Sequence, residues 1–183
     1  LAGRCPHRDA PAATGALRLR SGREAVAYVD RVHGPQARVP DQDAVLVRRS
    51  GDVGYPLAVV VDDHRDGVTE VVRGGDLLGP TAVQVELYRL FGWPEPTWLH
   101  TPLLLGPDGR KLGKSHGSTE LRALRAAGWT PDDVWRRLLP ALGCEAGRLA
   151  DAVLRPERVP RHDFVVREAD GHRLVPAGSA TPA

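Results

Sequence analysis

The chain has no methionine, only two cysteines (Cys5 and Cys144) and only two lysines (Lys111 and Lys114) in 183 residues. Two cysteines cannot build a disulfide framework of the kind that staples small secreted domains. No run of 18 apolar residues and no basic-then-apolar leader occurs, so no membrane partner is expected and the sequence predicts a cytoplasmic protein. Charge of one sign is lacking too. Lysine plus arginine number 25 against 23 acidic residues, and a net charge of +2 is too small to imply a nucleic-acid partner by itself. Contact with a polyanion would have to use local basic patches. The opening Leu1-Ala2-Gly3-Arg4-Cys5 carries no helix or strand signal.

What is present fits a globular fold. The composition is 42% hydrophobic and 26% charged, outside the range of disordered chains. The length suits one compact domain or two small subdomains and is enough to bury a core.

Along the chain, Leu17 to Leu19, Ala25 to Val29 and Ala44 to Val47 are strand-like, separated by turn-forming Ser21-Gly22, His33-Gly34-Pro35 and Pro40-Asp41. Residues 1–50 are therefore predicted as a small β-rich region. The apolar run Tyr55-Pro56-Leu57-Ala58-Val59-Val60-Val61-Asp62-Asp63 is too short to assign by periodicity. With the expected strand Val68 to Val72, it is predicted to be largely buried. A helix is expected over Thr81 to Phe91, with Val83, Leu87 and Leu90 on one face and Gly92 as its left-handed stop. Leu99 to Leu105 is predicted as a buried strand ending in the turn Gly106-Pro107-Asp108-Gly109. Helices follow: Glu120 to Ala127 stopped by Gly128, a second capped by Thr130-Pro131-Asp132-Asp133 and ending near Gly143 with a kink at Pro140, and a third over Ala146 to Leu154. Residues 167–183 lack core-forming material and are predicted as a disordered tail.

Both lysines lie in Gly106-Pro107-Asp108-Gly109-Arg110-Lys111-Leu112-Gly113-Lys114-Ser115-His116-Gly117, three residues apart in a glycine-rich loop beside a strand. Cations next to glycine backbone suit a polyphosphate. A Walker A loop would need glycine where Asp108 stands, so a P-loop is excluded. A solvated basic turn is the bland alternative.

Lys111-Leu112-Gly113-Lys114-Ser115 resembles the Lys-Met-Ser-Lys-Ser signature of class I aminoacyl-tRNA synthetases in its glutamyl form, Lys-Leu-Ser-Lys, with Gly113 in place of serine. Tyr55 to Asp63, Gly67-Val68-Thr69-Glu70-Val71-Val72-Arg73-Gly74 and Leu99-His100-Thr101-Pro102-Leu103-Leu104-Leu105 look like the matching family blocks, in order and at family-like spacing. The resemblance covers roughly Cys5 to Val166. It points to the glutamyl-tRNA-synthetase-like family, nearest in pattern to its glutamyl-queuosine tRNA(Asp) branch.

The resemblance implies an α/β fold: the C-terminal half of a class I Rossmann-like catalytic domain (residues 51–117), preceded by a β-rich insert or acceptor-end remnant (1–50) and followed by a helical, stem-contact-like region (118–166). It implies ATP with Mg2+, glutamate, and tRNA(Asp) carrying queuosine as partners. By this likeness Lys111, Leu112, Gly113, Lys114 and Ser115 form the ATP loop. Lys114 is the catalytic cation that stabilises charge on the phosphates as a carboxylate attacks the α-phosphorus. Gly113 removes a hydroxyl and is expected to loosen loop closure. Tyr55 matches a tyrosine that contacts bound glutamate, and Arg73 an arginine that pairs with a substrate carboxylate. Without the likeness, Tyr55 would be a half-buried core residue and Arg73 a surface ion-pair partner. Asp62 and Asp63 are expected to hold neighbouring backbone rather than to catalyse. Cys5 aligns with the last ligand of a tetrahedral zinc site whose Cys-x-Cys would lie before residue 1, so the chain holds at most one ligand and Zn2+ binding is not expected. Cys144 is predicted as a small buried residue.

The His-Ile-Gly-His-type motif and the remaining amino-acid-pocket residues belong to the N-terminal half of such domains and have no match here. A separate N-terminal half is therefore an expected partner, and the chain alone is expected to expose a sheet edge and an apolar face and to be poorly stable and inactive. Two alternatives stay open. An ordinary glutamyl-tRNA synthetase would continue into a large anticodon-binding module, for which too little chain follows Ser115. A non-catalytic remnant would bind tRNA or protein through Arg122, Arg125, Arg136, Arg137 and Arg148.

Overall fold

The computed structural model describes residues 15–21, 24–40, 43–113, 120–145, 149–167 and 173–178. Four strands come first: β1 (Leu17–Leu19), β2 (Val26–Asp30), β3 (Gly34–Arg38) and β4 (Ala44–Val47). They are followed by α1 (Tyr55–Arg65), β5 (Glu70–Gly74), α2 (Thr81–Phe91), β6 (Thr97–Thr101) and β7 (Leu104–Leu105). Last come α3 (Leu121–Ala126), α4 (Pro131–Ala141), β8 (Phe164–Arg167) and β9 (Arg173–Pro176). The chain falls into two compact units, residues 1–72 with 77–99 and residues 73–76 with 100–183.

A four-stranded sheet has the order β3-β2-β6-β5. Strands β2 and β3 form an antiparallel hairpin, and β2 pairs in parallel with β6 at Asp30 and Trp98. Thr69 and Arg73 carbonyls accept hydrogen bonds from Thr97 and Thr101 side chains, at the same separation of 28 residues, so β5 and β6 run in one direction. The fold is therefore mixed α/β, with α2 joining two parallel strands as such sheets require. The β2–β3 hairpin is made by Asp30, whose buried Oδ1 accepts from the backbone N–H of Val32 at 2.9 Å and of His33 at 2.8 Å. This side-chain-to-backbone turn lets Gly34 and Pro35 enter β3, a strand that a turn reading of His33-Gly34-Pro35 does not anticipate.

The core of the first unit gathers Val26, Tyr28, Leu46, Val60, Val85 and Leu87 around Tyr88 and Trp98, whose rings meet edge to face at 6.2 Å. Each such side chain contributes about 1.5–3 kcal/mol by leaving water. In β2, residues Val26, Tyr28 and Asp30 are buried and alternate with exposed Ala27 and Val29, the period of two expected of a sheet covered on one face. Val29 is 65% exposed and Val72 of β5 is 52% exposed, so apolar side chains of the sheet do face solvent.

Several expectations are corrected. Tyr55 to Asp63, left unassigned by periodicity and expected to be largely buried, forms most of α1, which buries only Val60 fully. Pro56 sits in the first turn, where its missing N–H costs nothing, and packing on α2 and β4 overrides the weak helix propensity of the valines. β5 begins two residues later than Val68 and is half exposed rather than largely buried. α2 has the expected limits, and Gly92 ends it at φ +68°, but its buried face is Ala82, Val85, Leu87 and Tyr88. Leu90 points outward, 66% exposed. Leu99 to Leu105 is two strands, because Pro102 has no N–H to continue a ladder. The third helix expected over Ala146 to Leu154 is a single 3-10 turn at Leu149–Asp151, with 146–148 outside the described residues. Within the supposed tail, Arg173–Pro176 form β9, antiparallel to β8, which in turn runs parallel to β7. Leu174 and Val175, opposite Val166 and Val165, supply a pairing surface that composition averaged over the whole tail conceals.

Gly54 caps α1 and donates its N–H to Leu46 O at 2.8 Å. A Cβ there would stand 2.3 Å from Val45 O, so the chain enters α1 through a gap only glycine fits. Gly54→Ala is accordingly expected to lower stability by about 1–3 kcal/mol, read as a shift in the urea midpoint at constant slope.

Candidate functional site

The second unit brings β5's end and the β7 turn together. Arg73, near the end of β5, donates from Nε to Nε2 of His100 on β6 at 3.1 Å, and its carbonyl accepts from Thr101 Oγ1 at 3.3 Å. His100 is fully buried. The buried ring thus holds the guanidinium in a fixed direction. Two glycines follow Arg73 for a steric reason. A Cβ on Gly74 would lie 2.7 Å from Asp76 Oδ1 and 3.1 Å from Leu103 Cδ2, and one on Gly75 would lie 3.2 Å from Thr101 O. The chain then makes a 3-10 turn over Gly75–Leu77 that carries Asp76.

Asp76 Oδ2 accepts from Lys111 Nζ at 2.5 Å. That hydrogen bond, more than the nearby positive charges of Lys111 and Arg73, holds the Asp76 carboxyl below the usual carboxylate range. The pair therefore persists above the ordinary carboxylate pKa and is lost only as pH falls through the lowered value. The backbone of Lys111 is held as well. Residues 106–109 turn with Gly109 at φ +73°, Gly106 N–H donates to Arg110 O at 2.7 Å, and Leu112 N–H donates to Leu104 O at 2.7 Å. Asp108 Oδ1 closes the turn by accepting from Arg110 N–H at 3.0 Å. The base of the lysine segment is thus a tight β-turn hairpin grown from β7.

Of the sequence-derived site residues, Arg73, Lys111, Leu112 and Gly113 lie in this second unit, where Lys111 pairs with Asp76, three residues after Arg73. Lys114 and Ser115 lie outside the described residues, as does Cys5. Tyr55 is the first residue of α1 in the first unit and is 54% exposed. Among the described residues, a Cβ on Gly113 would meet Lys111 O alone, at 3.8 Å. Asp62 and Asp63 use their carbonyls, which accept from Asp66 and Val68 N–H at the end of α1. Among the described residues no group of three or more His, Cys, Asp or Glu could hold a metal ion, and no helix is long and apolar enough to cross a membrane.

Sequence reasoning missed Asp76 and His100 as members of the site. Asp76 was detectable as an acidic residue behind the Gly-Gly pair that follows Arg73. His100 stands inside a family-like block but gives no sign that its strand neighbours Arg73. Of the helical arginines, Arg136 pairs with Asp133 at 2.9 Å, and Arg137 lies over Trp129 at 4.0 Å, so both serve the helix that carries them.

Residues 7–158 match the family model for class I (E and Q) tRNA synthetases, catalytic domain. The chain is 49% identical over 129 residues to a glutamyl-Q tRNA(Asp) synthetase of Symbiobacterium thermophilum, covering 69% of this chain and 40% of that protein. It is 40% identical over 163 residues to the glutamyl-Q tRNA(Asp) synthetase of Nocardia farcinica, covering 88% of this chain and 52% of that one. Similarity extends to a glutamate–tRNA ligase 2 of Roseobacter denitrificans at 41% identity, covering 79% of this chain and 32% of the relative. A glutamate tRNA ligase from Elizabethkingia meningosepticum, solved in complex with its amino acid, superposes with a TM-score of 0.51 at 32% identity, over 56% of this chain and 21% of that one. The chain thus spans about half the length of its curated relatives, or less.

Proposed function

Given that the chain belongs to the class I (E and Q) tRNA synthetase catalytic-domain family, we propose that it supplies the ATP loop and the glutamate-binding arginine of a ligase that activates glutamate with ATP and transfers it to queuosine in tRNA(Asp). The observation that supports this reading is that Lys111, at the base of the lysine segment, is hydrogen-bonded to Asp76, three residues after Arg73, within one unit. Arg73 offers a planar fork suited to the substrate carboxylate. Lys114 supplies the cation for the phosphates, ATP arriving with Mg2+, and Tyr55 contacts glutamate. The reaction takes place in the cytoplasm, where tRNA is modified.

The exposed apolar side chains of Val29 and Val72 favour a complementing N-terminal half that carries the rest of the pocket. Identity to a glutamate–tRNA ligase favours a second reading, in which glutamate goes to the end of tRNA(Glu).

The test is glutamate-dependent exchange of pyrophosphate into ATP, by the chain alone and with the N-terminal half of a related enzyme. Exchange is expected only in the mixture, and Lys114→Ala is expected to lower it about 10²- to 10³-fold, the cost of losing one preorganised group at developing charge. No exchange in either case would refute the ligase reading. Labelled glutamate then decides between tRNAs: incorporation into queuosine-containing tRNA(Asp) supports the first, incorporation into tRNA(Glu) the second.

A further inference from the structure

We propose that Asp76 is a positioning residue for the ATP loop: its carboxylate holds the ammonium of Lys111 and so fixes where the chain leaves the β7 turn at Lys111–Gly113. This rests on the reading of that segment as the ATP loop. Two independent features carry it. First, the Lys111 backbone is already clamped by the hairpin bonds Leu112 N–H to Leu104 O and Gly106 N–H to Arg110 O, so its side chain starts from a fixed point and reaches Asp76 at 2.5 Å. Second, the Asp76 carboxylate occupies space that any side chain at residue 74 would take, since a Cβ there would lie 2.7 Å from Oδ1. The Gly74 slot and the lysine thus define one carboxylate position from two sides.

The chemical consequence is a division of labour between the chain's two lysines. Lys111 has its charge engaged by the protein and sets the loop's exit, which leaves the phosphate-directed role to Lys114. Lysine suits the first task because a compact ammonium on a flexible stem can meet a single carboxylate oxygen.

The scarcity of lysine makes a direct test practicable. The full-length chain is acylated briefly with a trace of amine reagent, and the products at Lys111 and Lys114 are quantified by mass spectrometry. An amine held by a carboxylate reacts slowly, so Asp76→Asn is expected to raise the Lys111:Lys114 labelling ratio roughly two- to fivefold, the opening factor of a partly exposed ion pair. Gly74→Ala, which crowds the carboxylate, is expected to raise it as well, whereas Asp76→Glu, which retains the charge, restores much of the protection. An unchanged ratio in Asp76→Asn, or a glutamate variant that behaves like the asparagine one, would overturn the proposal. If Asp76→Asn does not fold, the natural chain decides: its ratio rises in about 1 M salt, where screening reaches about 3 Å, and a flat response would refute the pairing. ATP with Mg2+, added to the chain mixed with a complementing N-terminal half, tests the underlying reading separately. Protection of Lys114 by ATP supports the loop assignment, and absence of protection with the Asp76-dependent ratio intact would sink that assignment alone.

Discussion

Arg73→Ala is expected to cut glutamate-dependent pyrophosphate exchange in the complemented mixture by about thirty- to a thousandfold, with the loss concentrated in the KM for glutamate. The arginine does not rest on the surface as an isolated ion-pair partner. Its Nε is tied to the fully buried His100 at 3.1 Å, and its carbonyl is tied to Thr101, so the side chain leaves the sheet in a direction set by β6. In the proposed role, Arg73 is a charge-assisted partner of the substrate carboxylate, and alanine would remove it at a cost of roughly 2–4 kcal/mol, or one and a half to three powers of ten. Arg73→Lys should do little better. An ammonium cannot donate in the guanidinium's plane to His100 while presenting a fork to a carboxylate. Exchange kinetics at varied glutamate and saturating ATP check this, and an unaltered KM in either variant would remove Arg73 from the glutamate site.

The second large effect is structural. Gly143 ends α4 at φ +69°, and a Cβ added there would stand 2.1 Å from Arg158 O and 2.6 Å from its carbonyl carbon. Gly143→Ala therefore combines left-handed backbone strain of about 1–2 kcal/mol with a clash against backbone that cannot rotate away, about 1–3 kcal/mol more. Gly92→Ala at the end of α2 is the natural comparison. It has nearly the same φ, +68°, but a Cβ there meets nothing within 4 Å. Urea unfolding of the two variants should show Gly143→Ala losing about 2–5 kcal/mol and Gly92→Ala only the smaller conformational share. Equal losses would mean that the Arg158 contact relaxes freely.

How much of this could be read from the residues alone varied with how local the cause was. The limits of α2, the capping box of α4 and the glycine stops were visible because each depends on a handful of adjacent residues. Thr130 Oγ1 accepts from Asp133 N–H, while the Asp133 carboxylate accepts from the Thr130 hydroxyl and from the Thr130 N–H, and these last two bonds hold the Asp133 carboxyl below its ordinary range. The α1 run was ambiguous because valine favours strands locally, and the helix is decided by α2 and β4, which its own residues do not reveal. β3 was hidden by Gly34 and Pro35, whose turn chemistry is real but is supplied from upstream, at Asp30. β9 depended on β8 as a partner, which composition does not report.

The candidate site divides in the same way. Lys111 and Arg73 stand in short signature blocks, so the sequence singled them out. Asp76 and His100 act across 35 and 27 residues, and nothing in their own neighbourhoods announces those contacts. The family resemblance singled out these segments, whereas the contacts among them are properties of the fold.

Helices α2, α3 and α4 all end in one design. A glycine with positive φ (Gly92, Gly128, Gly143) is followed by Trp93, Trp129 or Cys144, whose N–H returns to a carbonyl five residues back (Tyr88, Leu124, Leu139). The glycine N–H returns to the carbonyl three residues back. Such stops close with no help from distant residues, whereas the β5–β6 pairing must first bring together positions 28 apart. Strand pairing across that distance is slower than local helix formation, which relaxes within roughly 0.1–1 μs. The order of events during folding is thereby biased: the helices acquire finished ends before the sheet settles its register, and a chain still waiting for its strands already carries segments of fixed length to lay upon them.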